Sequence, residues 1–531
     1  MVQLSRTGTR RASVLTAVGV ATALVISGCA TGTDDAVETS DVTAGGVLRI
    51  GMLLDSQGLD PALTTESTAG VIDSAIYDTL LEIDADGNLQ GRLATEWETS
   101  EDGLTVTLTM REGVEFSDGT PLTAEDAAYT LNRIKTLEGS PRSSLLATIS
   151  SVEAPDDTTL VINLSAPFAP LLTNLTQFWS AIVSEDTVDE FGDLNENPVG
   201  SGPFMLDSWD KDTRLTLVAN PNYWRSDDGF PYLEGVEFTF NATSASRIAS
   251  LESNEVDFLY NVDTTQVPTL EDEGIFEFYG QGLGSSWMYM LLNQQWGPFQ
   301  DEKVRQAIYT ALDRQAIADL CQPGVSTALN GGFITPSADA GIKEPVFTTD
   351  LDAAKELLDE TDYADGFEFT INALTGYDFQ ICTAEVIQSQ LAEIGITANI
   401  NVTDFASISA GYTGDVANGS FEAMTIGWGG TPDPDQRLSQ VFQTGGGANY
   451  VGYSNEDVDA LLKQARESSD PAERAELYVE AQTIITETGP YAFLYTYDLI
   501  HTSSDVVEGF ESNPSSADNF ASLYKTWIAS P

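Results

Sequence analysis

The sequence predicts an α/β fold, because segments typical of strands and of helices alternate along most of its 531 residues. That length is several times a usual domain, so the chain can bury a sizeable core divided between two or more lobes. Hydrophobic residues make up 42% of the chain and aromatic residues 9%, as in folded globular proteins. No segment repeats at the period of a solenoid, so the alternation indicates lobes with largely covered sheets.

The predicted strands are short segments rich in apolar and β-branched residues. In the first half of the chain they cover 47–54, 105–110, 158–164 and 214–220. In the second half they cover 288–293, 367–374, 396–402 and 423–428. Helix patterns lie between many of them, so we expect layers of helices to cover the sheets.

Three helices between these strands carry clear signals. Thr123 and Asp126 form a capping box at the start of the first helix. Apolar residues spaced three and four apart predict one amphipathic helix within 301–317. The Asp-Pro pair at 470–471 predicts a cap and a first-turn proline for the third helix, and the Gly-Pro pair at 489–490 predicts its end.

The amino terminus has the pattern of a secretion signal. A basic start precedes an apolar run over 12–26, which has the length of a signal-peptide core rather than of a membrane span. The sequence LVISGC at 24–29 resembles the lipobox of bacterial lipoproteins, in which the cysteine is diacylated and becomes the first mature residue. We therefore expect loss of residues 1–28, lipidation of Cys29, and a lipid-anchored protein on the extracytoplasmic face of the bacterial membrane. The small, acidic residues 29–45 predict a flexible tether.

The charge balance limits the partners. The chain carries 82 acidic and 23 basic residues, for a formal net charge of −59 at pH 7. Such a surface repels nucleic acid and anionic lipid heads, so we expect no nucleic-acid partner and contact with the membrane only through the lipid anchor. The acids are spread along the chain rather than gathered in a tail, a pattern typical of proteins that work in a salty medium, where self-repulsion is screened.

Counts of reactive residues restrict the chemistry. Besides Cys29 the chain has Cys321 and Cys382, which either form a disulfide outside the membrane or remain two separate buried thiols. His501 is the single histidine and lies in a predicted strand, so no Ser-His-Asp or Cys-His arrangement is built around a motif. The same count excludes a transition-metal site rich in histidine or cysteine. A secreted carboxylate-pair hydrolase stays an alternative, although no acid lies in a catalytic motif.

Several segments, in order, resemble the family 5 extracytoplasmic solute-binding proteins, the receptors of peptide, nickel and oligosaccharide ABC importers. The most specific are FSDGTPLTAEDA at 116–127 and GSGPF at 200–204. The matching segments together cover nearly all of the chain after residue 47, and they lie at 76–134, 200–224, 292–317, 353–367, 387–400, 427–436 and 454–482. Much of this signature is structural in our interpretation, since glycines at 119, 200 and 202 predict turns and a strand entry.

The resemblance implies a two-lobed, periplasmic-binding-protein-like fold of the large type, with a subdomain inserted in lobe one. The implied ranges are 46–85, 206–282 and 499–531 for the core of lobe one, 86–205 for the inserted subdomain, and 283–498 for lobe two. The implied function is capture of a small solute in the cleft between the lobes and delivery to an ABC permease in the membrane. We expect a monomer without cofactor or enzymatic activity.

The residues expected to contact the ligand combine aromatic area with polar tips. For each of them the alternative is core packing or support of the surface. They are Trp428, Asn293, Trp287, Tyr289, Trp179 and Gln57.

Thr431 leaves the ligand class open. In peptide-binding relatives an aspartate three residues after the motif tryptophan pairs with the ligand's α-ammonium, and here that position is Thr431. A hydroxyl cannot supply a charge-assisted bond to a free amine. Asp433 either substitutes for the missing acid or serves as a turn or helix-cap residue. We therefore expect a peptide or an oligosaccharide as ligand, with an oligopeptide as the leading class.

Overall fold

The structure is a computed structural model that describes residues 42, 44–64, 66–138, 140–280, 286–404, 407–408, 421–512 and 520–529. The predicted signal peptide, Cys29 and most of the predicted tether lie outside the described residues. Residues 43–531 form one compact unit. In the part of the chain that the structure describes, no helix combines the length and apolar character needed to cross a membrane.

The strands and helices alternate as expected. In chain order, the strands are β1 (Val47–Met52), β2 (Leu81–Ile83), β3 (Leu89–Gly91), β4 (Ala94–Thr99), β5 (Thr105–Met110), β6 (Ile149–Asp156), β7 (Thr159–Leu164), β8 (Phe204–Asp210), β9 (Arg214–Ala219), β10 (Gly235–Phe240), β11 (Phe258–Leu259), β12 (Phe276–Tyr279), β13 (Ser286–Leu292), β14 (Ser326–Ala328), β15 (Glu368–Leu374), β16 (Thr397–Thr403), β17 (Ala423–Gly429), β18 (Tyr491–Tyr497), β19 (His501–Ser504), β20 (Val507–Glu508) and β21 (Trp527–Ile528). The helices are α1 (Ser67–Ile76), α2 (Ala124–Thr136), α3 (Leu171–Asn174), α4 (Glu185–Phe191), α5 (Ser244–Glu252), α6 (Val267–Glu273), α7 (Glu302–Ala311), α8 (Arg314–Cys321), α9 (Leu351–Asp359), α10 (Asp378–Ala392), α11 (Pro434–Phe442), α12 (Glu456–Glu467) and α13 (Pro471–Thr488).

Three sheets carry the fold. The seven-strand sheet has the order β12-β19-β11-β1-β10-β9-β8, with β1 parallel to both of its neighbours. The four-strand sheet is antiparallel, in the order β4-β5-β7-β6. The six-strand sheet has the order β14-β18-β13-β17-β15-β16. Strands near both ends of the chain meet in the seven-strand sheet, whereas the other two sheets each use one continuous range. The lobe boundaries implied by the resemblance stay a prediction.

The six-strand sheet is covered on both faces, and β13 shows this best. All its residues are buried, and successive side chains enter two different cores. Met288 and Met290 pack with the core on the side of α7 to α10. Trp287 and Tyr289 pack with the core on the side of α11 to α13. The alternation therefore places the aromatic residues of β13 on the face that α11 covers.

The eight predicted strands are all present, with ends within two residues of the prediction. The capping box is confirmed, because the Asp126 carboxylate accepts a hydrogen bond from the Thr123 backbone N–H at 2.9 Å. The third predicted helix is also confirmed: α13 begins after the cap residue Asp470 and ends before Gly489.

The amphipathic helix predicted within 301–317 is confirmed as α7, on which Val304, Ala307, Ile308 and Ala311 are buried. The chain leaves helical geometry at Leu312, and a second helix, α8, follows. Asp313 explains the break, since its carboxylate accepts a hydrogen bond from the Ala316 N–H at 3.0 Å and so caps α8.

Cys321 and Cys382 form a disulfide, with their Cα atoms 5.6 Å apart. The bond joins the end of α8 to the middle of α10, two helices that cover the same face of the six-strand sheet. Of the two alternatives that the sequence leaves open, the structure shows the paired one.

The GSGPF segment is specific because of close packing. A side chain on Gly200 or Gly202 would collide with the backbone carbonyl of Ile76 at the end of α1. Ser201 between them donates a hydrogen bond to the buried Asp78 carboxylate at 3.1 Å. The motif thus fixes the entry to β8, as the structural interpretation predicted.

Candidate ligand-binding site

Trp428 lies where β17 leaves the six-strand sheet. The strand is buried from Ala423 to Ile426 and half-buried from Gly427 onward. A side chain on Gly427 would collide with the hydroxyl of Tyr497, so this position requires a glycine. The tryptophan is consequently held at the exposed end of a rigid strand.

An aromatic cluster backs Trp428. Its ring meets those of Trp287 and Tyr289 edge-on, with centroids 6.1 and 6.4 Å away. Trp287 is stacked between Tyr289 and Phe333, at centroid distances of 4.8 and 4.9 Å. Trp287 and Tyr289 are each only 2% exposed, so they support Trp428 from behind rather than face solvent. We call Trp428, Trp287 and Tyr289 the aromatic wall.

Arg437 covers the front of the wall. Its guanidinium carbon lies 4.3 Å from the centroid of the Trp428 ring, a cation-π geometry. One guanidinium nitrogen also donates to the Gly429 carbonyl at 3.1 Å. α11 starts five residues after β17 ends, so Arg437 in its first turn lies close to the end of that strand.

The turn between β17 and α11 uses its polar residues for the fold. The Thr431 hydroxyl donates to the Asp433 carbonyl at 2.9 Å. The Asp433 carboxylate caps α11 by accepting from the Asp435 N–H at 2.9 Å, and it also accepts two hydrogen bonds, at 2.8 and 2.6 Å, from Arg474. Asp433 is therefore a helix-cap residue whose charge is paired with Arg474.

A second ion pair stiffens the same helix. Asp435 is 2% exposed, and its carboxylate accepts from Arg466 at 3.2 Å and from the Ser439 hydroxyl at 2.9 Å. Burial raises the pKa of Asp435, and the neighbouring Arg466 charge opposes that rise. The helix that carries Arg437 is thus held at its first turn by two buried carboxylates.

The structure does not bring Asn293 to the aromatic wall. β13 and β17 are antiparallel with Trp287 opposite Trp428, so Asn293 lies about 20 Å away, beyond the other end of β13. Asn293 is fully buried, and its amide donates to the Phe421 carbonyl at 2.8 Å. The side chain holds the entry to β17 in place.

Trp179 and Gln57 belong to other elements of the fold. Trp179 is 1% exposed and packs in the core of the four-strand sheet. Gln57 is exposed in the turn after β1. Among the predicted residues, the structure groups Trp428, Trp287, Tyr289, Thr431 and Asp433.

Sequence reasoning missed Arg142 and Tyr450. Arg142 precedes the short 3-10 helix Ser143–Leu146 and is 8% exposed. Burial lowers its pKa to about 10, and Tyr450 and Glu66 oppose the shift. Tyr450 in turn lies near both Arg142 and Arg437, whose charges oppose the rise that burial causes in its pKa. No signal in the sequence distinguished Arg142 from the other arginines that the structure buries.

The segment that contains Arg142 meets α11 through a contact between residues distant in sequence. The Gln440 amide on α11 donates to the carbonyl of Pro141, the residue before Arg142, at 3.4 Å. The Ala169 N–H also donates to the Arg466 carbonyl at 2.9 Å. Loops beside the four-strand sheet therefore contact α11 and α12.

A groove of about 470 Å³ lies beside this contact. It runs between 147–148 and 165–167 on one side and the end of α12 on the other, and Lys463, Arg466 and Glu467 line it. None of the residues predicted for ligand contact lines the groove. The groove is therefore not part of the aromatic wall.

His501 belongs to the core. It is fully buried in β19, its ring stacks on Tyr260 at a centroid distance of 4.9 Å, and its Nδ1 accepts from the Asn261 N–H at 3.2 Å. Among the described residues, no group of three or more histidine, cysteine, aspartate or glutamate side chains is placed to hold a metal ion.

Proteins of known class resemble this chain over nearly its whole length. The glutathione-binding protein GsiB of Escherichia coli (strain K12) is 29% identical over 516 residues, which are 96% of this chain and 98% of the relative. The structure of AgaA in complex with agropinic acid, from A.tumefacien R10, matches with a TM-score of 0.84 and 26% identity, over 92% of this chain and 99% of that one. The binding protein DppA of Helicobacter pylori, in complex with peptide STSA, matches with a TM-score of 0.83 and 27% identity, again over 92% and 99%.

The family model for bacterial extracellular solute-binding proteins, family 5 Middle, matches residues 88–449, more than half of the chain. These structural neighbours are two-lobed binding proteins, so the fold implied by the resemblance is confirmed. The chain belongs to the family 5 bacterial extracellular solute-binding proteins.

Proposed function

We propose that this chain is the extracytoplasmic substrate-binding lipoprotein of an ABC importer, anchored through Cys29, and that it captures an oligopeptide between its lobes. Family membership supports the receptor role. The relatives support the ligand class, since one is named for binding glutathione and another was solved with a peptide. The observation that carries the proposal is that Trp428 lies half-buried at the end of β17, with its ring packed against Trp287.

In the proposed mechanism, lobe one (46–85, 206–282 and 499–531) carries the inserted subdomain 86–205, and lobe two spans 283–498. A solute that contacts both lobes favours the closed form, which the permease then recognises. The ligand shifts this equilibrium only by its differential affinity for the closed form. A rigid wall suits this role, because it contributes contact area without being ordered at each binding event.

An oligosaccharide is the second candidate ligand. Sugar rings stack on tryptophan, and their hydroxyls suit neutral partners. The specific observation in its favour is Thr431, which offers a hydroxyl where peptide-binding relatives carry an acid, while Asp433 is engaged by Arg474.

The test is ligand-dependent thermal stabilisation of the full chain, freed of retained solute by unfolding and refolding. Panels of short peptides and of oligosaccharides are compared, because a ligand that binds only the folded state raises the melting temperature. We expect stabilisation by peptides without any product. Hydrolysis of a panel member would contradict the receptor role, and stabilisation by sugars alone would replace the peptide by the second candidate.

Thr431→Asp distinguishes the two candidates further. In a peptide-shaped cleft the new carboxylate should strengthen binding of free-amine peptides about tenfold, the usual effect of one charge-assisted hydrogen bond. Titration calorimetry with a peptide and its N-acetylated form measures the gain. An equal effect on both forms would show that the added acid does not reach an amine.

A further inference from the structure

The carboxyl-terminal edges of the two larger sheets come together at one place. In the seven-strand sheet β1 is parallel to β11, so Leu53 and Thr264, which follow these strands, leave the same edge. In the six-strand sheet β15 is parallel to β17, so Gly376 after β15 leaves the edge that carries Trp428. Ligands of open α/β sheets bind outside the carboxyl ends of the strands. Both edges therefore lie on the ligand side of their sheets.

The two edges touch through a hydrogen bond and through apolar packing. The Thr264 hydroxyl donates to the Gln322 side-chain oxygen at 2.5 Å, and these two residues are only 5% and 3% exposed. A side chain on Gly376 would lie 3.2 Å from a methyl group of Leu53, so the loops after β1 and β15 are also closely packed. A cavity of about 30 Å³ remains between the two sets of loops.

The hydrogen bond lies beside the segment at which the chain crosses between the proposed lobes. Backbone hydrogen bonds join residues 498–500 to Val325 on one side, at 3.0 Å, and to Val262 on the other, at 2.7 Å. These partners lie within three residues of Gln322 and Thr264. A contact beside the crossing, on the ligand side of both sheets, forms when the lobes approach and breaks when they separate.

The disulfide holds the lobe-two side of this contact in place. Cys321 directly precedes Gln322, and Cys382 lies on α10, whose first residues line the cavity. The bond thus ties the end of α8 to the helix that follows Gly376. Gln322 is presented from a fixed position, so little further ordering is needed when the lobes close.

We propose that the Thr264–Gln322 hydrogen bond is a latch between the lobes, which forms on closing and slows reopening. Gln322 is then a positioning residue for retention of the solute. This inference rests on the proposed function, because it needs lobes that close on a solute. A bond made only in the closed form strengthens binding by the factor by which it favours closing. The gain appears in the dissociation rate, because the bond forms after the solute has entered.

The test uses the refolded full chain and a mixture of tripeptides and neutral oligosaccharides. A captured solute is identified by mass spectrometry, and its association and dissociation rates are measured by stopped-flow tryptophan fluorescence. Thr264→Val leaves the Gln322 oxygen without a donor in the closed form, so dissociation should be about tenfold faster and association unchanged. Thr264→Ser keeps a hydroxyl, so its dissociation rate should stay within about twofold of the wild type.

A double-mutant cycle tests the pairing. Gln322→Met removes the acceptor with little change of volume and should speed dissociation about fivefold. The double variant Thr264→Val/Gln322→Met should dissociate no more than about tenfold faster than the wild type, whereas independent residues would give roughly fiftyfold. Effects that multiply in the double variant would show that the two residues do not act as a pair and would overturn the latch.

Thr486→Val is the matched control. Thr486 is 3% exposed, and its hydroxyl accepts from the Gly332 N–H at 2.9 Å, within proposed lobe two. The substitution should lower the melting temperature and leave both rate constants unchanged. A rise in its dissociation rate equal to that of Thr264→Val would show a general effect of losing a buried hydroxyl, which would also overturn the latch.

The remaining outcomes separate this inference from the proposed function. Unchanged dissociation from Thr264→Val, in a protein that becomes more compact with solute in small-angle X-ray scattering, would overturn the latch and leave the receptor role intact. A wild type that captures no solute, or that captures one without becoming more compact, would count against the proposed function and, with it, against this inference.

Discussion

At the scale of single residues, Trp428 is the position at which sequence and structure agree most closely. The stretch GWGG places the Trp428 indole beside glycines. Because Gly427 has no side chain, the Tyr497 hydroxyl can lie against it, and the Trp428 ring packs edge-on against Trp287 and Tyr289. Trp428→Ala should weaken ligand binding by about 1 kcal/mol or more, or at least fivefold, through loss of buried aromatic contact. Calorimetry measures the change. Trp97→Ala on β4 is the control, and an unchanged affinity in Trp428→Ala would remove the residue from the site.

The structure assigns Asp433 two contacts that stabilise the fold. Its carboxylate caps α11 and pairs with the largely buried Arg474, so Asp433→Ala should lower the free energy of unfolding by about 3 kcal/mol. Asp433→Asn should cost less, because asparagine caps helices about as well. Urea unfolding compares the two variants. Equal losses would show that the ion pair, and not the cap, supplies the stability.

At the scale of elements, the disulfide between α8 and α10 closes a loop of 61 residues. In the loop-entropy account such a bond contributes about 4 kcal/mol, chiefly by restricting the unfolded chain. The double variant Cys321→Ala/Cys382→Ala should therefore lose much of that free energy of unfolding, as measured by urea titration. A loss in the double variant no larger than the usual effect of one buried substitution would mean that the bond contributes little.

Elements with a clean local signal could be predicted from the sequence. β5 alternates buried and exposed residues, and α2 carries a complete capping box. β18 was missed because it is buried on both faces, so its aromatic run has no alternation to reveal a strand. The apolar period over 304–312 identified α7, whereas α8, which Asp313 caps, was not predicted as a separate helix.

Only the part of the candidate site that lies at the end of a strand could be predicted from the sequence. Trp428 and its partners on β13 follow from strand register. Arg142 does not, because the neighbouring Pro141 meets α11 at Gln440, 299 residues later in the chain. Asn293 was expected at the site because it also ends a strand, but β13 and β17 run in opposite directions, which places it at the far end.

At the scale of the whole molecule, the acidic composition affects stability through buried carboxylates as well as through the surface. Asp73 on α1 is fully buried, and burial raises its pKa well above the ordinary 3.8. The folded state then keeps a proton that the unfolded state releases. The stabilisation of the folded state by this bound proton is complete below pH 3.8 and is lost as the pH rises towards the folded-state pKa of Asp73.

Asp73→Asn tests this proton. The variant keeps an acceptor for the Thr64 hydroxyl but does not titrate, so its stability should fall less than that of the wild type between about pH 4 and pH 8. Urea midpoints across that range give the comparison, with the exposed Asp86→Asn as control. Identical pH slopes in Asp73→Asn and the wild type would show that Asp73 is ionised in the folded protein.

The most direct test of the whole account is a crystal structure of the full chain purified with its retained solute. We predict electron density for a peptide-like molecule between the lobes, in contact with the Trp428 ring. Density for a solute elsewhere, for example in the groove beside α12, with the Trp428 ring untouched, would contradict the account.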